Sequence, residues 1–242
     1  MEKQGNVVGH AVTVTGYSLD RANAVPDKNG FLLRANRIDR VYAYDDQVGP
    51  FARMIWQKSG RDVLETFWGK TYAITPEFLL FPLYHKIRIP FSLLEGAIFK
   101  LDTYLETFRP KFPGVNRAEW DIFRTTANEY KSSAREDYKN LDADTMLQAL
   151  VVDLPRFIWR VMLRVDDELH FDFLFDATGI AQHDLLVHMM SATEKKEGYR
   201  MILSLAANNE TLRHVRPSGV EFQPPLVHHV QRLQHHADLF IG

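Results

Sequence analysis

The sequence predicts an α+β fold in which antiparallel strands, an N-terminal pair and a hairpin over residues 157–176, pack with several amphipathic helices. Apolar and polar residues alternate with the period of a strand in residues 6–17 and 157–176. In residues 92–108 apolar side chains instead recur at spacings of three and four, the period of a helix. Hydrophobic residues make up 45% of the chain and charged residues 25%, the ordinary balance of a protein with a full hydrophobic core.

The N-terminal pair consists of residues 6–17 and 31–44. Val8, His10, Val12 and Val14 alternate with small or polar residues in the first run. The second run is long enough to contain a bend, and the loop before it ends in the turn-forming sequence PDKNG. We therefore predict that the two runs form an antiparallel hairpin around a long loop.

The 157–176 hairpin allows a prediction of register. Two alternating runs flank Asp166-Asp167-Glu168, and a three-residue loop places the large apolar residues on one face, whereas a two-residue loop mixes the faces. The predicted cross-strand pairs are Leu163 with Phe171, Val161 with Phe173, and Trp159 with Phe175. The other face is predicted to be wetter, except around Met162 and Leu174, and to hold ion pairs of Arg164 with His170 and of Arg160 with Asp172.

Helical patterns occupy residues 50–69, 92–108, 116–138, 143–152, 180–192 and 224–240. Two of these helices are predicted to begin with capping boxes, at Ser92–Glu95 and at Asn116–Glu119. Residues 71–91, which contain three prolines, are predicted to form short extended pieces. No repeat or linker divides the 242 residues, so we predict a single compact domain over 1–242, with a candidate sub-boundary near 110–116.

Composition excludes several classes of protein. The chain has no cysteine, which excludes disulfide scaffolds, cysteine-ligated metals and thiol nucleophiles. The polar N-terminus has no apolar run of signal-peptide length, and the most apolar run, residues 78–84, is interrupted by Pro82. We therefore expect a cytoplasmic protein with no membrane association. The net charge of −2 gives no overall attraction to nucleic acid.

The polar face of the hairpin carries the candidate catalytic residues His170, Asp172 and Asp176. One imidazole and two carboxylates on a rigid strand are groups that bind a divalent ion or act as acid and base. The alternative is structural: Arg160 and Arg164 on the other strand form ion pairs with this face, and Asp176 caps the segment that follows. The structural interpretation is favoured.

A candidate nucleic-acid surface lies in residues 85–117, where basic and aromatic residues interleave. Its basic residues are Lys86, Arg88, Arg109, Lys111 and Arg117. Five acidic residues lie in this region or just after it (Glu95, Asp102, Glu106, Glu119 and Asp121), so a basic patch forms only if the fold brings the cations together on one face. Solvated loops are the favoured alternative.

The C-terminal histidine pairs, His228-His229 and His235-His236, lie seven residues apart. On a helix that spacing corresponds to about 10 Å, too far for both pairs to bind one ion. We therefore predict no metal site and no cofactor. The sequence also contains no glycine-rich phosphate loop, serine nucleophile elbow or His-Glu-x-x-His motif.

The functional expectation that follows is a soluble, non-enzymatic binding or assembly subunit of a larger complex. It rests on the missing catalytic motifs and on an aromatic content of 12%. Its expected partner is another protein or a second copy of the chain. Two alternatives stay open: a metal-assisted hydrolase or nuclease that uses the His/Asp/Asp cluster, and a protein that binds single-stranded RNA.

Overall fold

The structure is a computed structural model that describes residues 9–22, 24–46, 48–56, 63–66, 73–139, 143–179 and 185–191. The chain divides into two compact units. Unit 1 comprises residues 1–25 and 35–82, and unit 2 comprises residues 26–34 and 83–242. The single domain over 1–242 and the sub-boundary near 110–116 stay predictions.

Unit 1 contains a five-stranded antiparallel sheet in which neighbours in sequence are neighbours in space. Its strands are β1 (Thr13–Leu19), β2 (Ile38–Asp45), β3 (Gly49–Trp56), β4 (Leu64–Thr66) and β5 (Ala73–Ile74). β1 pairs with β2, which confirms the pairing predicted for the N-terminal hairpin, although the strands are shorter than the predicted runs 6–17 and 31–44 and β1 extends to Leu19. A short 3-10 helix, Arg34–Arg37, precedes β2 and accounts for the predicted bend. Ala43, Met54 and Leu64 form the small apolar core of this unit.

The helix predicted over residues 50–69 is wrong, because β3 and β4 lie there. β3 pairs with β2, and the buried residues Ala52 and Met54 alternate with exposed ones along it. Apolar residues at 51, 54 and 55 fit a helical face equally well in the sequence. The hydrogen bonds that β2 offers to this segment decide between the two structures, since strand preference depends on neighbouring strands.

Unit 2 is built on a four-stranded antiparallel sheet with helices on both faces. The strands run in the order β6 (Glu119–Thr126), β7 (Phe157–Val165), β8 (Glu168–Asp176) and β9 (Leu186–Ser191). The helix α1 (Phe91–Phe108) packs on one face, in a core that includes Trp120, Trp159 and Phe173. The helices α2 (Ala127–Asp137) and α3 (Ala143–Val151) pack on the other, against Ile158 and Leu174.

The fold class is therefore mixed α+β, but the described residues contain three α-helices and not the larger set that was predicted. α1 and α3 agree with the predicted 92–108 and 143–152. Leu94, Ile98, Leu101, Leu105 and Phe108 form the buried face of α1. The predicted capping box at Ser92 is wrong, since Pro90 occupies the N-cap position without a side-chain cap. A 3-10 turn, Arg109–Lys111, follows α1.

The helix predicted over residues 116–138 is correct only in its second half. Residues 119–126 form β6, which pairs along its length with β7. The capping box lies at Thr126 and Glu129, at the start of α2, and not at the predicted Asn116. Aromatic and β-branched residues in Trp120–Thr126 suit a strand, and the free edge of β7 supplies the partner.

Two further helices were predicted, over residues 180–192 and 224–240. Residues 186–191 of the predicted 180–192 helix form β9, because β8 has a second edge that an apolar strand can cover. Residues 180–184 and the predicted 224–240 helix lie outside the described residues. None of the helices in the described ranges combines the length and apolar character needed to cross a membrane.

The hairpin register is confirmed, with Leu163–Phe171, Val161–Phe173 and Trp159–Phe175 as cross-strand pairs. The loop is shorter than predicted. Val165 pairs with Glu168, and the two turn residues Asp166 and Asp167 both have positive φ, as a type I′ turn requires. The register then shifts by one residue at His170, which restores the apolar pairs. Arg164 consequently pairs with Leu169, so the predicted pair with His170 is wrong.

The second face of the hairpin is buried, which contradicts the prediction of a wetter face. Arg160, Met162, His170, Asp172 and Leu174 are each at most 6% exposed. This face is covered by α2 and α3, which lie outside the hairpin in the sequence. Unit 2 therefore holds a sheet enclosed on both sides.

Candidate functional site

The buried polar cluster of unit 2 centres on the ion pair of Arg160 and Asp172, confirming that predicted pair. Arg160 Nε and Nη2 lie 2.9 and 2.7 Å from Asp172 Oδ2. The same guanidinium donates to Ser133 Oγ at 2.9 Å and forms an ion pair with Asp137 at 2.7 Å. Tyr138 donates its hydroxyl hydrogen to Asp172 Oδ2. These contacts join β7 and β8 to α2.

Burial fixes the charge states in this cluster. It raises the pKa of Tyr130 to about 12, with Asp172 adding to the effect. Burial and the same carboxylate hold the pKa of Tyr138 well above its ordinary value. Burial by itself lowers the pKa of Arg160, but the attraction of Asp172 outweighs it and the net shift is upward. Both phenols therefore stay protonated at neutral pH, and Arg160 stays charged.

The three candidate catalytic residues do not converge. Asp172 is committed to Arg160 and Tyr138, and its Oδ1 is buried without a hydrogen-bond partner in the part of the chain that the structure describes. Asp176 Oδ1 accepts hydrogen bonds from the backbone N–H and the hydroxyl of Thr178, each at 2.7 Å. Among the described residues, no group of three metal-ligating atoms within 4.8 Å includes His170, Asp172 or Asp176. The hydrolase hypothesis stays a prediction without geometric support.

His170 supplies a testable pH dependence. Burial lowers its pKa to about 4, against the opposing attraction of Asp166, while the unfolded chain keeps a value near 6.5. Between these values the unfolded state binds a proton that the folded state does not. We therefore expect the free energy of unfolding to fall by on the order of 2–3 kcal/mol from this group alone as the pH drops from neutral to about 4.5. Urea unfolding at a series of pH values measures the change.

The matched variant for this measurement is His170→Gln, which keeps a polar side chain of similar size but cannot titrate. The difference in slope between wild type and His170→Gln isolates the histidine from the carboxylates that titrate in the same range. Parallel stability curves for the two proteins between pH 6.5 and 4.5 would contradict the expected effect.

The candidate nucleic-acid residues lie at the two ends of α1. Lys86 and Arg88 precede the helix, whereas Arg109, Lys111 and Arg117 follow it. The 18 residues of α1 correspond to about 27 Å. Arg109 and Arg117 are also occupied by acidic groups, at 2.7 Å from Glu106 and 3.0 Å from Asp102. The five cations do not form one patch, and RNA binding stays a prediction that the geometry does not favour.

The most unusual exposed feature is the run Phe78-Leu79-Leu80-Phe81, which we call the FLLF segment. Its four side chains are 86%, 75%, 86% and 63% exposed. Isolated apolar residues on a surface are ordinary, but a contiguous exposed set marks an interaction site. The FLLF segment is therefore the strongest candidate for a binding element in the described residues.

The backbone of the FLLF segment is available for pairing. Residues 75–83 have no regular secondary structure, and within the described ranges their backbone groups form no hydrogen bond. Pro76 and Pro82 bracket the segment and keep it from forming a helix, and Pro82 restricts Phe81 to extended conformations. The segment thus offers both apolar side chains and backbone groups to which no other described residue is hydrogen-bonded.

Within the part of unit 1 that the structure describes, one strand edge is open. β1 pairs with β2 on one side only, and no other described strand adjoins it. Val14 and Tyr17 on β1 are 45% and 63% exposed. The sheet order puts β5, from which the FLLF segment continues, at the opposite edge. Four strand spacings of about 4.8 Å separate the two edges by about 19 Å along the sheet.

Comparison of the chain with protein-family models, with curated proteins and with solved structures gave no match. Sequence reasoning identified residues 78–84 as the most apolar run but treated them only as too short for a membrane span. Their exposure follows from the fold, and the flanking prolines are the signal in the sequence that favoured an extended, unpacked segment.

Proposed function

We propose that this protein is a non-enzymatic assembly subunit that associates with a second copy of itself through the FLLF segment. The observation that carries the proposal is the exposure of four consecutive large apolar side chains, between 63% and 86%. Full burial of one such side chain is worth about 1.5–3 kcal/mol. Covering the segment on both copies of a dimer therefore supplies roughly 10–20 kcal/mol before association costs of about 4–15 kcal/mol, and a micromolar complex needs about 8 kcal/mol net.

A second copy is favoured as the partner because each chain has both an exposed apolar segment and a strand edge with which such a segment can pair. The FLLF segment can add as a strand to an open sheet edge, and β1 is such an edge with exposed Val14 and Tyr17. The segment leaves the sheet at the edge opposite β1. Exchange between two copies satisfies both features at once and gives a closed, two-fold symmetric dimer.

The first test is self-association of the full chain, measured by sedimentation velocity from low to high micromolar concentration. We expect a monomer–dimer equilibrium in the wild type. Leu80→Asp should weaken it at least about tenfold, since a buried charge replaces an apolar anchor. Val151→Asp is the matched control, because Val151 is 67% exposed but stands on α3, away from the segment in sequence. It should dimerise like the wild type.

A mixing experiment tests the exchange itself. Val14→Lys places a charge on the open edge and should weaken dimerisation as Leu80→Asp does. A mixture of the two variants retains one intact contact per heterodimer, so it should associate more tightly than either variant alone. A wild type that is monomeric throughout, or a mixture no better than its components, would overturn the proposal. Binding to phosphatidylserine vesicles without dimerisation would instead assign the segment to a lipid surface and also overturn it.

A further inference from the structure

We propose that His10, Asp45 and Asp46 of unit 1 bind a divalent transition-metal ion. His10 Nε2 lies 3.0 Å from Asp45 Oδ2 and 3.5 Å from Asp46 Oδ1. One ligand atom from each of the three residues lies within 4.8 Å of the others, the only such group among the described residues. The proposal is independent of the proposed self-association.

The hairpin of β1 and β2 builds this group from distant parts of the sequence. Thr13 pairs with Tyr44, so the residues just before β1 lie beside the end of β2, where Asp45 and Asp46 begin the turn to β3. Asp45 is held in place, since its side chain is fully buried and its Oδ1 accepts the Val48 backbone N–H at 3.2 Å. One ligand is therefore fixed by the fold itself.

The other two ligands open the group to solvent. The His10 side chain is 22% exposed and the Asp46 side chain 78% exposed. An ion can therefore reach the group from one side, and water can fill the coordination positions that the protein leaves free. Three protein ligands with a fourth position left for water or another small ligand are typical of zinc sites that stay open to solvent molecules, whereas structural zinc sites use four protein ligands.

The ligand spacing matches metal coordination. Bonds of about 2.1 Å at tetrahedral or octahedral angles place neighbouring ligand atoms roughly 3.0–3.4 Å apart. The observed 3.0 Å separation lies within this range and the 3.5 Å separation lies just above it, so a small shift of the exposed Asp46 side chain suffices. An imidazole nitrogen favours Zn²⁺, Co²⁺ or Ni²⁺ over Mg²⁺ and Ca²⁺, which prefer oxygen ligands throughout. We therefore infer selectivity for the transition-metal ions.

The direct test is a titration of the metal-free full chain with Co²⁺, followed by absorption in the visible range, and with Zn²⁺, followed by calorimetry. We expect one equivalent to bind with micromolar or tighter affinity. His10→Ala should weaken binding at least tenfold, and Asp46→Asn should weaken it less, since it keeps one oxygen ligand. Because Asp46 is exposed, Asp46→Asn tests the site even if another variant folds poorly.

Two controls separate this site from the other histidines. His85→Ala removes an exposed histidine from the loop before α1 and should leave the titration unchanged. A combined His235→Ala and His236→Ala variant should also retain the tight equivalent. Equal binding by wild type and His10→Ala would overturn the proposal. So would loss of the tight equivalent in the combined variant with retention in His10→Ala, or a preference for Mg²⁺ over Zn²⁺.

Discussion

Asp172→Ala is expected to lower the free energy of unfolding of unit 2 by about 3–5 kcal/mol, a loss typical of breaking a buried ion pair. The side chain of Arg160 is 3% exposed and would lose the carboxylate that accepts hydrogen bonds from both its Nε and its Nη2. Tyr138 would lose the acceptor of its hydroxyl hydrogen at the same time. Asp137 still contacts Arg160 at 2.7 Å, so we expect a value nearer the lower end of the range. Urea unfolding followed by tryptophan fluorescence measures the change.

Two further variants show whether charge or packing causes the loss. Asp172→Asn keeps the shape and one acceptor oxygen, and should cost less than Asp172→Ala. The double change Arg160→Met with Asp172→Leu removes both charges, so it should be less damaging than Asp172→Ala alone, as found when buried pairs are replaced by apolar groups. A loss below about 1 kcal/mol for Asp172→Ala would indicate a solvent-exposed pair and contradict the buried cluster.

The 157–176 hairpin shows which structural features a local sequence pattern can predict and which it cannot. Alternation and the three aromatic residues of β8 determine the register, since a shift by one residue would move them all to the opposite face of the sheet. The same alternation does not determine whether the face that carries Arg160 and Asp172 is exposed to solvent or covered by helices. The covering residues Tyr130 and Ala134 belong to α2 and Tyr138 directly follows it, about 30 residues earlier in the chain. The burial of the polar face therefore depends on packing between distant segments, which no local pattern records.

The misassigned strand β6 shows a signal that was present but not used. Thr126 and Glu129 have the spacing of a capping box, which marks the start of α2. The same spacing at Asn116–Glu119 predicts a helix that starts too early, because Trp120 and Phe123 continue the helical period. Only the pairing of β6 with β7 distinguishes the two boxes. The two capping-box patterns are equally good locally. The partner strand β7, more than 30 residues away, determines which of them begins a helix.

The two proposed sites differ in how far each could be predicted from the sequence alone. The FLLF segment and its prolines are contiguous, so only its exposure required the fold. The group of His10, Asp45 and Asp46 joins residues 35 positions apart and depends on the pairing of Thr13 with Tyr44. The β1–β2 hairpin was predicted, but its register was not, and the histidine was interpreted only as one member of an alternating strand.

Phe173→Ala is expected to cost about 3–5 kcal/mol of unfolding free energy, the range for removing an aromatic ring from a packed core. Phe173 is 2% exposed at the centre of the sheet and pairs with Val161, which is fully buried. Its ring centroid lies 6.2 Å from those of Trp120 and Phe171. Removal would leave a cavity bordered by two strands and α1, elements that cannot all close on it. Urea unfolding measures the loss, and Trp120 reports the change locally.

The control for this cavity is Val151→Ala, at the exposed end of α3 in the same unit. It should change stability by less than about 0.5 kcal/mol, because surface substitutions away from special features have small effects. Phe173→Leu tests packing more finely: it keeps most of the apolar volume and should recover more than half of the alanine loss. If Phe173→Ala and Val151→Ala had similar effects, β8 would not lie with its aromatic face against α1. Large losses from both Phe173→Ala and Asp172→Ala are instead the signature of a strand buried on both faces.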